Sequence, residues 1–290
     1  MSPLERLPDD IQEYLPGTKE VRTYVGEVPD HVLSTTAECF IRVYGGEPWN
    51  EAWRCSTAGP VHHFGFAEVD PDQLVCKEPD CAGTLVPYYD PDELIATFKQ
   101  DFAHDPETTP VLSAWFGQNG EILAYTSTMV TSNWDRTRDF LLRAPYFGGI
   151  HVDPKAEIEA FKAKVLPIVG DQAVTVVLDT VSRPEVRGLP AWYQTVFEAS
   201  LASIMLGTRQ FIAVTQEDSA IYQLLKRLGI IAVGHETTPI GGHKPVLMVY
   251  TNHIGVIAEV ALDAMQASGA MSAARRFASY ARSFSNGTRI

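Results

Sequence analysis

The chain has 290 residues, 45% of them hydrophobic and 20% charged, with a formal net charge of −13. That length accommodates one large domain or a domain with an insertion, and an acidic surplus of this size repels phosphate backbones, so no nucleic-acid partner is expected. No run of about 18 uncharged apolar residues exists, which argues against a membrane span, and the N-terminus lacks the basic-then-apolar pattern of a signal peptide, so the expected location is the cytoplasm.

Residues 1–18 carry no periodicity and read as an N-terminal arm. Alternation over Lys19–Val25 predicts an edge strand. Val32, Leu33, Ala37, Phe40, Ile41 and Tyr44, three and four apart, predict a helix over Pro29–Tyr44, ended by Gly45-Gly46. The following Pro48-Trp-Asn-Glu-Ala-Trp53 sets Glu51 between two tryptophans. Residues 54–88 read as an insertion of turns that holds His62-His63, Cys55, Cys76 and Cys81. Asp90-Pro-Asp-Glu93 then starts a helix with Leu94, Phe98 and Phe102 on one face.

Val111–Phe116 and Ile122–Val130, joined at Gln118-Asn-Gly-Glu121, predict a β-hairpin. Asn133–Gly149 is a helix or an aromatic-bearing loop, and Ala156–Ile168 is a helix. Next comes a strand over Val174–Val181 that runs through Pro184-Glu-Val-Arg-Gly188 into an amphipathic helix. A second strand, Phe211–Thr215, leads to a short helix ending in Lys226-Arg-Leu-Gly-Ile230. Strands near Ile231–His235 and Val246–Thr251 follow, with a turn at Gly241-Gly242-His243-Lys244. Val256–Phe284 is Ala-rich at helical spacing. The expected organisation is therefore an arm (1–18), a domain (19–252) containing the insertion (54–88), and a C-terminal helix (253–290) whose face suits its own domain or a second copy in a homodimer.

A strand that turns at Arg-Gly into a helix leaves unpaired backbone N–H groups at the positive helix end, a cradle for phosphate. The Pro184-Glu-Val-Arg-Gly188 turn and the later Leu-Gly-Ile resemble the acyl-CoA site of the GNAT N-acyltransferase superfamily, and the order of elements over about residues 19–252 is similar to that fold. The resemblance implies an α/β (α+β) domain with a mixed central sheet flanked by helices, to which this sequence adds, outside the common core, a Cys-rich insertion after the first helix. It implies acyl-CoA, with acetyl-CoA as the usual donor, bound by main-chain groups of Thr180, Val181 and Ser182 and by Arg187, Gly188, Leu189 and Ala191. Pro190 stands where the family has glycine and removes one N–H from the cradle, and Trp192 replaces its final small residue. The expected activity is transfer of the acyl group to an amine, the acceptor being a small molecule. Asp179, in an otherwise apolar strand, and Glu51, beside the tryptophans, are the candidate bases. Leu225 occupies the family's general-acid Tyr position; Tyr222, three residues earlier, is the candidate replacement. The rival expectation is a GNAT-like module that binds a ligand or protein without catalysis.

Three thiols and an imidazole within about 27 residues suit tetrahedral zinc in a segment too small for its own core. Cys55, Cys76, Cys81 and His63 are the expected structural zinc ligands, with His62 interchangeable with His63. Cys39 reads as a small core residue.

Overall fold

The hairpin of β5 (Thr108–Phe116) and β6 (Ile122–Thr131) is the centre of the architecture. Nine consecutive residues of β5 pair along β6, from Thr108↔Thr131 to Phe116↔Ile122. The computed structural model describes residues 20–46, 50–103, 105–143, 154–170, 172–186, 190–208, 210–216, 222–223, 226, 231–236 and 245–251. The N-terminal arm, the C-terminal helix, Trp49, Leu225 and the cradle residues Arg187, Gly188 and Leu189 lie outside them, and of Ala191 and Trp192 only the backbone is described.

Around the hairpin lie β1 (Glu20–Val25), β7 (Val174–Ser182), β8 (Gln210–Gln216), β9 (Ile231–Glu236) and β10 (Pro245–Thr251). They form a seven-stranded sheet in the order β1-β5-β6-β7-β8-β10-β9. Among the described strands β7 and β8 are the one parallel pair. β10 lies between β8 and β9, so the last two strands are joined as an antiparallel pair, as the sequence predicted.

Alternation along the hairpin creates two apolar faces. Leu112, Ala114 and Tyr125 face α1 (Asp30–Tyr44) and α2 (Pro91–Asp101), packing with Leu33, Phe40 and Phe98. Asp90 caps α2 by accepting from the N–H groups of Asp92 (2.9 Å) and Glu93 (3.1 Å). Towards the other end, α3 (Trp134–Arg143) and α4 (Pro154–Val169) pack with Met129, Val174, Val176 and Ile212. The aromatic-bearing stretch from Asn133 thus contains a helix.

The opposite face meets α5 (Pro190–Met205). Val111 packs there with Ala199 and Ala202, but much of this contact is polar. Thr126 and Thr195 hydroxyls lie 3.1 Å apart, Thr128 and Ser203 3.3 Å, and Thr175 and Thr208 2.5 Å. Thr23 donates to the buried Glu198 carboxylate at 2.7 Å. Buried hydroxyls need such partners, and here sheet and helix supply them to each other.

The insertion is not merely irregular. β2 (Trp53–Cys55), β3 (Gly59–Phe64) and β4 (Leu85–Pro87) form a separate three-stranded sheet in the order β3-β2-β4.

Candidate active site and candidate metal centre

The parting of β7 from β8 makes the site. Their parallel ladder consists of Thr175↔Phe211 and Val176↔Ile212 and then ends, while β7 continues to Ser182. From there the β8-facing edge of β7 has no strand partner among the described residues, and β6 occupies its other edge. In an antiparallel ladder alternate residues direct N–H and C=O to the neighbour. Arg183 N–H donates to Leu123 O at 2.9 Å, so the same alternation turns the peptide groups of Val181 to β6. Those of Thr180 and Ser182 turn to the open edge. Of the three expected main-chain contacts, Val181 therefore differs: its N–H and C=O belong to the sheet.

A bulge decides where Asp179 points. Ser127 pairs with Asp179 and Thr128 with Val177, leaving Leu178 unmatched. Val174 and Val176 face α4, and strict alternation would send Asp179 to the α5 side with Thr175. The extra residue reverses that parity. Leu178 still packs towards α4, and Asp179 and Val181 turn to α1. The Tyr44 hydroxyl donates to Asp179 Oδ1 at 3.4 Å. Desolvation, followed by the Asp101 charge, pushes the Asp179 carboxyl up to about 8, against the lowering effect of the Tyr44 hydrogen bond.

Glu51 completes this wall. Its N–H donates to Tyr44 O at 2.8 Å, and its carboxylate accepts a short hydrogen bond from the Tyr89 hydroxyl. Burial raises the Glu51 carboxyl above its ordinary range, opposed by the Tyr89 hydrogen bond. Tyr89 meets Tyr44 edge-on with centroids 6.5 Å apart and Phe40 at 5.1 Å, and Tyr88 lies 4.8 Å from Tyr89. Burial pushes the Tyr88 phenol up to about 12, and Tyr89 and Tyr125 well above their ordinary value. Tyr125 Oη is buried with no hydrogen-bond partner among the described residues. The result is two carboxylates in an aromatic lining, a combination that attracts amines through charge and cation–π contact.

Sequence reasoning placed Asp179 and Glu51 near the site but did not single out Tyr44, Tyr89 and Tyr125. Tyr44 was visible only as an apolar-face residue of its helix. Arg183 was also missed: it is 7% exposed, beside the buried Cys39, whose thiol burial pushes up to about 11. Its neighbour Glu185, in the 3-10 turn Pro184–Val186, bridges to Arg42 of α1 at 3.2 Å. Tyr222 is buried, with the Lys226 ammonium 5.5 Å from its ring centroid.

In the small sheet, Cys55, His62, Cys76 and Cys81 each bring one ligand atom to within 4.8 Å of the others. The expected imidazole was His63, and His62 replaces it for a reason of strand parity. His63 pairs with Arg54, and both are exposed, His63 lying 6.1 Å from the Tyr88 ring. Cys55 points to the other, buried face, and so does His62, whose Nδ1 is 3.6 Å from Cys76 Sγ. The N–H groups of Thr57 and Ala58 both donate to Cys55 Sγ at 3.4 Å and hold that thiol down at about 7, whereas desolvation pushes Cys76 up to about 11.

No protein-family model matches the sequence, and no curated protein sequence does. Among solved structures, the chain is similar to a polyamine N-acetyltransferase of Drosophila melanogaster that forms N-acetylagmatine, with 14% identity and a TM-score of 0.41 over 80% of this chain and 100% of that one. It is also similar to arylalkylamine N-acetyltransferase 2 from Aedes aegypti, with 10% identity and a TM-score of 0.43 over 80% and 99% of the two chains. The apo form of a mutant agmatine N-acetyltransferase matches at 12% identity and a TM-score of 0.42, over 79% and 99%. Among the described residues no helix is long and apolar enough to cross a membrane. The sheet order, the antiparallel hairpin and the parallel pair that parts after Val176 make the mixed central sheet flanked by helices that the sequence implied.

Proposed function

We propose that the protein transfers an acyl group, with acetyl as the first choice, from acyl-CoA to the amine of a small molecule. One observation carries this reading: a carboxylate, Asp179, is turned by a strand bulge to the face of an aromatic wall, next to the point where β7 and β8 part. The pantetheine arm lies along the open edge of β7, where Thr180 and Ser182 offer N–H and C=O groups. Arg187 and the amides of Gly188, Leu189 and Ala191 take the pyrophosphate.

The amine arrives between Glu51 and Asp179 and loses its proton to Asp179, directly or through water. Its lone pair then attacks the thioester carbonyl carbon while an N–H on the open edge of β7 polarises the oxygen. Collapse of the tetrahedral intermediate breaks the C–S bond, and the nitrogen, as it becomes the amide, gives up its second proton, which replaces the one handed to sulfur. The departing thiolate takes a proton from Tyr222 or from water. A base whose carboxyl lies near 8 is better matched to an ammonium than an ordinary aspartate.

Isothermal titration with CoA and acetyl-CoA, paired with a thiol-release assay over a panel of polyamines and arylalkylamines, tests the reading. Micromolar binding is expected, weakened by Arg187→Ala, with thiol release that depends on the amine. Absence of CoA binding, or release indifferent to every amine, overturns it.

A further inference from the structure

We propose that Cys55, His62, Cys76 and Cys81 bind one tetrahedral zinc ion, and that this ion fastens the small sheet which carries Glu51 and Tyr89. The four donors come from β2, β3 and the segment leading into β4, yet converge within 4.8 Å. Cys55 and Cys81 Sγ atoms are 3.5 Å apart and Cys76 Sγ is 3.6 Å from His62 Nδ1. With Zn–S near 2.3 Å and Zn–N near 2.0 Å, the S···S edges of a ligand tetrahedron measure roughly 3.8 Å and the S···N edges roughly 3.5 Å, so these two separations fit a shared ion. The others, within 4.8 Å, need close by only about 1 Å. The two N–H groups aimed at Cys55 Sγ stabilise a thiolate there.

The backbone is shaped around the sulfur as well. A Cβ at Gly83 would lie 2.3 Å from Cys55 Sγ, so that position has no room for a side chain. The apolar support is small, Phe64, Val69 and Leu85 packed with the cysteines themselves and edged by the partly buried Trp53, Ala58 and Leu74, a cluster that a metal would reinforce. A Cys55–Cys81 disulfide would instead leave Cys76 and His62 facing each other without a common partner.

The clamp has a consequence for the site. Trp53 pairs with Pro87, and Tyr88 N–H donates to Ala52 O at 2.9 Å. β2 therefore begins just after Glu51, and β4 ends just before Tyr88 and Tyr89. Fixing the sheet fixes the Glu51–Tyr89 contact. This second step rests on the acyltransferase reading; the metal site does not.

Elemental analysis of the full chain purified without chelator should find about one zinc per chain. Less than about half an equivalent, with none taken up on dialysis against Zn2+, overturns the site. Replacement by Co2+ should give the intense visible bands of a tetrahedral ion together with thiolate charge transfer; an octahedral spectrum overturns it. His62→Ala should weaken Co2+ binding at least about tenfold, and His63→Ala should leave it unchanged; the reverse result overturns the ligand set. Because the variants can misfold, the wild-type cobalt spectrum decides independently. An intact mass short by two hydrogens, with no metal, overturns the site in favour of a disulfide. Chelation should raise the KM for amine while CoA affinity holds. Unchanged amine kinetics after complete metal loss overturns the coupling alone, and absence of CoA binding overturns the acyltransferase reading without touching the metal count.

Discussion

The Tyr44 hydroxyl reaches Asp179 Oδ1 across 3.4 Å, although 135 residues separate them in sequence. It ties the last turn of α1 to the bulge of β7, and so joins the wall of the acceptor pocket to the proposed base. Replacement of that base by Asp179→Asn should lower kcat by about 100-fold or more while leaving CoA binding intact. In the wild type, kcat/KM should climb with pH through about 8 as the carboxyl ionises. A flat profile between about pH 6 and about pH 9 would assign the proton transfer elsewhere.

The same shift makes a statement about stability. An acid whose folded pKa is raised from 3.8 to about 8 keeps its proton in the native state where the unfolded chain has lost it. Native stability attributable to this group is complete below about pH 4, falls as pH rises, and has gone above about 8. Asp179→Asn should accordingly raise the melting temperature at about pH 8–9 and change it little near pH 4. Each recovered kcal/mol corresponds to about 2–4 °C in a protein of this size. Scanning calorimetry at both pH values checks it.

Tyr44→Phe keeps the ring stacked on Phe40, with centroids 4.2 Å apart, and removes only the hydroxyl. Loss of a donor to the ionised form disfavours ionisation, so the ascending limb of the rate profile should move to higher pH. At 3.4 Å the hydrogen bond is long, and the displacement should stay below about one pH unit. A downward displacement would contradict the assignment.

Glu51→Gln preserves shape and removes charge. Amine KM should rise on the order of tenfold, the equivalent of about 1.4 kcal/mol, with a smaller change in kcat. An uncharged competitive ligand of the same pocket should notice the change far less. Initial-rate kinetics with amine and acetyl-CoA varied separately distinguish this from damage to the donor site.

Gly83→Ala drives a Cβ against Cys55 Sγ at 2.3 Å. The Thr57 side chain, with Oγ1 at 2.9 Å, and the crowded Cys55 sulfur leave little room to yield, so a loss of about 1–3 kcal/mol is expected. Limited proteolysis should cut first between Cys55 and Leu85 in this variant. Urea denaturation gives the magnitude.

The sequence carried the long periodic elements and the hairpin, because each advertises itself through apolar spacing alone. It also carried the turn after β7 and the thiol-rich composition of the insertion. Residue parity is not legible from the sequence in two places. Alternation counted from Val174 sends Asp179 to the wrong face, since nothing in Leu178-Asp179 announces a bulge; the extra residue is fixed by pairing with β6. Likewise His62 and His63 are equivalent as letters, and only pairing of His63 with the exposed Arg54 turns His62 inward. Tyr44, Tyr89 and Tyr125 were illegible for another reason. An aromatic on an apolar face looks like core until the surroundings of its hydroxyl are known, and those surroundings are remote in the chain.

Hydroxyl pairs about two turns apart along α5, Thr126 with Thr195 and Thr128 with Ser203, act on that helix differently from oily contact. Grease lets a cylinder roll; directional bonds at separate heights do not. The azimuth of α5 is thereby locked to the hairpin, and whatever its first turn presents to a ligand is aimed by β6.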